Sequence, residues 1–274
     1  MQTTNTHKKN TPPTTTLSLV FPNINPVALS LGPIKIHWYG VAYITGILCG
    51  YKLAEYCLKK IKYPINLSDL ASNIILGIII GGRLGYVFFY DPLYYASNPL
   101  DIIAIWKGGM AFHGGAIGAF IATIITCKKN NASIHVGLDI LALCATPGLF
   151  FGRIANFING ELFGRITTAS WGMVFPSGGP SPRHPSQLYE ATLEGLLLFL
   201  ICITIFRSFY SEGRIFSTFV IGYGILRFFI EFTRAPDSHL GLLALKLSMG
   251  QWLSIAMILL GGLWTYGRHK KYIY

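Results

Sequence analysis

Charged and polar side chains recur at helical spacing within the apolar stretches of this chain, and they are the side chains best able to do chemistry. One group lies within or just after residues 215–233: Tyr223, Arg227, Glu231 and Arg234. Residues three and four apart share one face of a helix, so this group would line a single face. A guanidinium grips phosphate oxygens through paired hydrogen bonds. With two guanidiniums for one carboxylate, the pattern predicts a site for a phosphate-bearing lipid; the alternative is an Arg227–Glu231 ion pair that holds two helices together.

Two further segments contain polar residues that add to this chemistry. Arg153 and Asn156 lie three residues apart, and Glu161 follows shortly after them. His113 lies between glycine pairs, which lets a substrate or another helix come close. A histidine readily exchanges a proton near neutral pH, but a lone histidine in a membrane also serves as a structural hydrogen-bonding group. Charged side chains within a bilayer face the bundle interior or a water-filled cavity, so these residues are candidates for a functional site.

The composition is that of a membrane protein. Of 274 residues, 52% are hydrophobic and only 12% are charged, against about 25% charged in soluble domains. The net charge of +11 indicates basic cytoplasmic loops and anionic lipid rather than nucleic acid. The five cysteines form no CxxC pattern, and no hydrolase, metalloprotease or nucleotide-binding motif is present. The sequence therefore predicts no metal site and no disulfide framework.

Apolar stretches long enough to cross a bilayer core of ~30 Å, which needs about 20 helical residues, define the architecture. They lie near residues 37–58, 68–90, 108–127, 135–156, 188–206, 215–233 and 247–266. Lysine and arginine follow the first, third, fifth and seventh stretches, which places the N-terminus outside and the C-terminus in the cytoplasm. We therefore predict an all-α, polytopic membrane protein with seven transmembrane helices.

The remaining segments are predicted from their composition. Residues 1–16 form a disordered polar tail, and residues 267–274 form a basic cytoplasmic tail. A single membrane domain covers residues 17–266. It begins with an interfacial segment at 17–36, where three prolines prevent a spanning helix. The Gly-, Pro- and Ser-rich loop at about 157–187 is predicted to be periplasmic.

Several short motifs, which occur in the same order along the chain, resemble motifs of the prolipoprotein diacylglyceryl transferase family. The most specific is GRIANFINGELFG at residues 152–164, which is similar to the signature of that family. The others, in chain order, are HWYG (37–40), GGMAFHGG (108–115), RHPSQLYEA (183–191), GYGILRFFIEFTRAPD (222–237) and GQWLS (250–254). Ala235 and Leu143 stand where glutamine and proline are expected, but neither departure removes a charged candidate. The resemblance extends from about residue 32 to residue 266.

The resemblance implies transfer of the diacylglyceryl group of phosphatidylglycerol to the lipobox cysteine of a prolipoprotein signal peptide. The products are a thioether and sn-glycerol 1-phosphate, and the reaction is the first step of bacterial lipoprotein maturation. The implied location is the bacterial inner (cytoplasmic) membrane, with no metal and no organic cofactor. One substrate diffuses in the leaflet and the other is anchored by a helix, so lateral openings between helices are expected.

For that reaction the candidate catalytic residues are His113, Arg153 and Arg227. The two arginines would hold the phosphate, because fixed cations placed where negative charge develops usually make the largest catalytic contribution. His113 would accept the thiol proton; if the arginines themselves lower the thiol pKa, His113 only positions lipid or holds a helix. The candidate substrate-binding residues are Tyr39, Asn156, Asn159, Glu161, Tyr223, Glu231 and Arg234.

Two other interpretations stay open from the residues alone. An anion or phospholipid transporter would use the same buried arginines, although such proteins normally contain inverted repeats and none is evident here. A purely structural role for the polar residues leaves surplus buried positive charge unexplained. The catalytic hypothesis depends on Arg153 and Arg227 converging on one place.

Overall fold

The computed structural model describes residues 19–235 and 243–273, with side chains described as far as Arg268. The helices are α1 (Trp38–Ile61), α2 (Leu67–Phe89), α3 (Pro92–Ser97), α4 (Phe112–Lys129), α5 (Ile134–Ile158), α6 (Ser186–Glu190), α7 (Leu198–Ser208), α8 (Arg214–Ile230) and α9 (Met249–Ile273). A π-helical segment, Ala191–Leu197, joins α6 and α7 into one rod. Short 3-10 turns lie at Pro99–Ile103, Ile105–Lys107 and Ala244–Lys246.

Long helices lie within a few residues of every predicted apolar stretch. Among the described residues, three helices are long and apolar enough to cross a membrane: Leu67–Phe89, Ile134–Ile158 and Ser186–Ser208. The chain is therefore mostly helical with three candidate membrane-spanning helices, and the count of seven spans and the orientation of the termini stay predictions. The predicted tail at 1–16 lies outside the described residues, whereas the backbone of α9 continues as a helix to Ile273.

Short strands make the chain mostly helical rather than all-α. Strand β1 (Leu19–Val20) pairs in parallel with β4 (Met173–Val174), and β2 (Val27–Leu31) pairs antiparallel with β3 (Ile34–His37). The turn between β2 and β3 contains Gly32, whose φ of +61° suits glycine. The segment at 17–36, whose prolines rule out a spanning helix, thus contains most of a hairpin. The sequence pattern did not predict this hairpin.

Helix α5 is the centre of the packing, because it contacts α1, α4, α8 and the π-helical segment. Its apolar face contributes to a core in which Cys57, Leu143, Leu198 and Phe206 are buried. The C-terminal end of α5 carries Arg153. Arg153 therefore lies on a helix that this core holds in place.

Helices α2 and α4 pack with their backbones in contact, because glycines face each other across the interface. A Cβ atom added at Gly81 would lie 2.9 Å from the Cα of Gly118, and one added at Gly85 would lie 2.9 Å from the Cα of Gly114. Small residues at both helices allow this close approach.

Gly118→Ala is expected to destabilise the protein, because its new Cβ would collide with the carbonyl oxygen of Gly77. Overpacking of this kind costs about 1–3 kcal/mol. Thermal unfolding in detergent measures the loss. Gly262→Ala is the matched control, since no atom lies within 4 Å of its added Cβ. Equal unfolding midpoints for the two variants would refute close α2–α4 packing.

Candidate active site

Three arginines converge on the carboxylate of Glu190, whose side chain is fully buried at the end of α6. Arg153 Nε lies 2.8 Å and Arg227 Nη1 lies 3.1 Å from Glu190 Oε2. Arg234 Nη1 lies 2.5 Å from Glu190 Oε1. Arg153 and Arg227 therefore meet at one carboxylate, as their predicted convergence requires. The side chains of the three arginines are 15–20% exposed, although Arg234 Nε itself is buried.

Two more carboxylates complete this cluster. Glu194, fully buried in the π-helical segment, approaches Arg227 Nη1 at 3.5 Å. Glu231 Oε2 lies 3.1 Å from Arg227 Nη2 and 3.4 Å from Arg234 Nε. Within this cluster three carboxylates face three arginines, so the surplus positive charge predicted from the α8 pattern is not found here, because α6 and the π-helical segment supply two carboxylates that the pattern does not contain. We call Arg153, Glu190, Glu194, Arg227, Glu231 and Arg234 the arginine cluster.

The helical segment that directly follows Glu190 is π-helical. A π-helix is rare, occurs mostly as single turns inside α-helices and is frequent at functional sites. Here the segment begins directly after Glu190 and contains Glu194. The carboxylate oxygen Oε2 of Glu194 is buried without a hydrogen-bond partner among the described residues. Such an atom is unusual in a folded protein and is expected where a ligand or water binds.

A second polar network adjoins the arginine cluster. Tyr39, at the start of α1, donates a short hydrogen bond to Glu161. Asn156 Nδ2 donates to Glu161 Oε1 at 2.9 Å and also contacts the Tyr39 hydroxyl. Arg153 Nη1 donates to Asn156 Oδ1 at 3.4 Å, which links this network to the arginine cluster. Gln187 Nε2 donates to the Glu161 carbonyl at 2.5 Å and so fixes the loop after α5.

The loop between α5 and α6 is hydrogen-bonded to the backbone at Thr233 and Arg234. The Arg165 N–H donates to the Thr233 carbonyl at 2.8 Å, and Arg165 Nε donates to the Arg234 carbonyl at 2.7 Å. His184 of the same loop lies 3.2 Å from the Tyr189 hydroxyl. Burial lowers the pKa of His184, which favours the neutral form of its ring.

The other predicted residues lie outside these hydrogen-bonded networks. Tyr223 precedes Arg227 on α8 and stacks on Phe219, with ring centroids 6.0 Å apart. Asn159 ends α5, and its buried Oδ1 has no hydrogen-bond partner within the described part of the chain. His113 is exposed at the start of α4, and its ring packs edge-on against Phe112. The structure thus joins His113 to neither network.

The carboxylates of Glu190 and Glu194 are the functional candidates that the sequence analysis omitted from the site. Their four-residue spacing within an apolar stretch was the available signal. Acidic side chains in such a stretch need cationic partners, and the arginines of α5 and α8 carry the required charge. Only the tertiary packing identifies which arginines these are.

Buried ion pairs among apolar, membrane-length helices place this chain in the class of helical membrane proteins with a polar interior site. Its residues 26–266 match the model of the prolipoprotein diacylglyceryl transferase family. The chain belongs to that family.

Several relatives carry the name phosphatidylglycerol-prolipoprotein diacylglyceryl transferase. One from Wolbachia sp. subsp. Drosophila simulans (strain wRi) is 51% identical over 245 residues, which cover 87% of this chain and 93% of the relative. One from Agrobacterium fabrum is 48% identical over 272 residues, which cover 94% of this chain and 97% of the relative. One from Rhodospirillum rubrum is 48% identical over 252 residues, covering 89% and 92%.

Proposed function

We propose that this protein transfers the diacylglyceryl group of phosphatidylglycerol to the lipobox cysteine of prolipoproteins, the first step of lipoprotein maturation. Family membership and the names of the relatives support the reaction. The observation that carries the site assignment is the convergence of Arg153, Arg227 and Arg234 on Glu190. A cluster of guanidiniums at the ends of apolar helices suits a phospholipid, because guanidiniums bind phosphate oxygens through paired hydrogen bonds.

The reaction requires that the cysteine thiol is deprotonated and that the negative charge on the leaving phosphate is stabilised. A cysteine thiolate attacks a glycerol carbon, the sulfur–carbon bond forms and the carbon–oxygen bond to phosphate breaks. The bonding electrons go to the phosphate oxygen, so sn-glycerol 1-phosphate leaves with more negative charge. Glu190 occupies one nitrogen of each arginine, and a guanidinium has five N–H donors. Arg153 and Arg227 therefore retain donors for the phosphate oxygens.

The polar residues around the arginine cluster would complete the substrate site. Glu161 and Arg234 would bind the headgroup end of the lipid. Tyr39 and Asn156 would hold Glu161 in place through their hydrogen bonds to it. Glu231 would take part through its ion pairs with Arg227 and Arg234. The substrate-binding roles of Asn159 and Tyr223 rest on their spacing from Asn156 and Arg227 in the sequence.

A two-substrate assay tests the proposed function. Purified protein is incubated with phosphatidylglycerol and a lipobox peptide, and mass spectrometry detects the diacylglyceryl thioether. Formation of the thioether supports the transferase. Movement of lipid between vesicles without product would instead support the alternative of a phospholipid transporter.

His113→Gln is expected to lower the transfer rate by about 10²–10⁴-fold if His113 accepts the thiol proton. Binding of phosphatidylglycerol should persist, because His113 contacts no residue of the arginine cluster in the described chain. His135→Gln is the matched control, since that histidine packs against Trp264 away from the cluster. Substantial residual activity in His113→Gln would exclude His113 as the base and favour a positioning role.

The proposed setting is the bacterial inner membrane, with multiple spans and the active site toward the outer leaflet. The basic residues after alternate apolar stretches support this orientation. Asn156 and Glu161 then lie at outward-facing ends. Labelling of single cysteines introduced at 161 and 209 in intact cells tests the orientation, and preferential labelling at 209 would reverse it.

A further inference from the structure

A cavity lined by arginine, hydroxyl and apolar side chains lies at the other end of α8 from the arginine cluster. It has a volume of about 350 Å³ and is formed between α8 and α9. Arg214, Ser217 and Thr218 line it from α8, and Thr265 and Arg268 line it from α9. Arg214 precedes Arg227 by 13 residues on one helix, which corresponds to about 20 Å at 1.5 Å per residue. The cavity is therefore separate from the proposed active site.

Arg268 is the residue that indicates a ligand. Its side chain lines the cavity although the residue is only 9% exposed. Its hydrogen bonds run from Nη1 to the Glu212 carbonyl at 2.7 Å and to two oxygens of Ser211. Its Nε is buried without a hydrogen-bond partner among the described residues. A buried guanidinium that has unused donors and forms no ion pair within the described residues is expected to bind an anion.

The nearby acids are already engaged by other groups. Asp139 accepts hydrogen bonds from the N–H groups of Gly213 and Phe216, each at 2.7 Å. Glu212 accepts a hydrogen bond from the Ser133 hydroxyl at 2.5 Å. Asp139 thus takes the free amides at the start of α8, and a ligand in the cavity must bind to side chains. Arg214 and Arg268 supply the positive charge for it.

We propose that this cavity binds the phosphate group of an anionic phospholipid at a site distinct from catalysis. Two guanidiniums beside the hydroxyls of Ser217, Thr218 and Thr265 match the oxygens of a phosphate ester. Ile221 gives the cavity an apolar wall further along α8, which suits the start of an acyl chain. Basic pockets between membrane helices commonly bind anionic headgroups. Free phosphate offers the same oxygens as the lipid headgroup, but it has no acyl chain to contact the apolar wall.

Ligand-induced thermal stabilisation of the full chain in uncharged detergent tests the site, because a ligand that binds only the folded state raises the unfolding midpoint. The probes are dioleoyl phosphatidic acid, dioleoyl phosphatidylcholine and inorganic phosphate. Phosphatidic acid should raise the midpoint of the parent protein more than phosphatidylcholine does. Arg214→Gln and Arg268→Gln should each weaken the apparent affinity for phosphatidic acid about ten-fold or more, as expected for lost charge-assisted hydrogen bonds.

Arg207→Gln is the matched control, because Arg207 carries the same charge near the same end but packs over Tyr56 outside the cavity. It should retain the parent affinity. If Arg268→Gln fails to fold, Arg214→Gln and Thr265→Val decide the outcome. Equal stabilisation of the cavity variants and Arg207→Gln overturns the proposal. If inorganic phosphate stabilises the parent protein as much as phosphatidic acid does, the proposed lipid ligand is wrong and the cavity is a site for free phosphate.

Discussion

Glu190→Gln is expected to abolish detectable transfer and to lower the stability of the folded protein. The Glu190 carboxylate is fully buried and contacts three guanidiniums at 2.5–3.1 Å. A glutamine of the same shape has no charge, so three arginines would be left with only two carboxylates, and Arg153 would lose its ion pair. Removing one partner of a buried ion pair typically costs about 3–5 kcal/mol. The arginines would also lose the geometry that holds phosphate.

Two controls make this expectation specific to Glu190. Glu194→Gln changes an equally buried carboxylate that has a single arginine contact at 3.5 Å, so its effect should be clearly smaller. Glu55→Gln breaks only exposed pairs with Lys52 and Lys59, and exposed pairs are worth about 0–1 kcal/mol. Thermal unfolding in detergent ranks the three variants, and thioether formation is assayed well below the lowest midpoint. An unfolding midpoint for Glu190→Gln at or above that of Glu194→Gln contradicts the central role of Glu190.

The features that the sequence predicted well are those determined by neighbouring residues. Each long helix coincides with a predicted apolar stretch, and the spacing of Arg227 and Glu231 brings their charges together. Arg234 lies beyond the end of α8 rather than on its face, and it still pairs with Glu231. The proline-rich start of the chain was predicted only as an interfacial segment. Its hairpin needs the pairing of Val27–Leu31 with Ile34–His37, which hydropathy alone does not specify.

The features that the sequence missed depend on contacts between distant parts of the chain. Glu190 and Arg227 are 37 residues apart, and Tyr39 and Glu161 are 122 residues apart. No periodic pattern encodes such pairs, because several acids and several arginines in the apolar stretches could be matched in different ways. The charge balance of the arginine cluster therefore could not be read from α8 alone.

Arg227→Lys is the second large expected effect, because a lysine keeps the charge but not the geometry of the cluster. Arg227 uses Nη1 for Glu190 and Glu194 and Nη2 for Glu231. A lysine has one nitrogen on a flexible stem and cannot reproduce this fork. Loss of a fixed donor at developing charge typically lowers kcat by about 10²–10³-fold. We expect a loss of that size in kcat for thioether formation, with a smaller loss of stability than in Glu190→Gln.

Arg207→Lys provides the reference for the same chemical change outside the site. Arg207 packs over the Tyr56 ring, 5.8 Å from its centroid, and has no ion pair within the described chain. Its replacement should leave kcat near the parent value. Near-parent activity in Arg227→Lys would mean that positive charge alone is sufficient, because a lysine can supply the charge without the paired hydrogen bonds. If Arg227→Lys loses activity but keeps the parent unfolding midpoint, the lost activity is assigned to phosphate binding. An unchanged midpoint would show that the ion pairs with the buried carboxylates still support the fold.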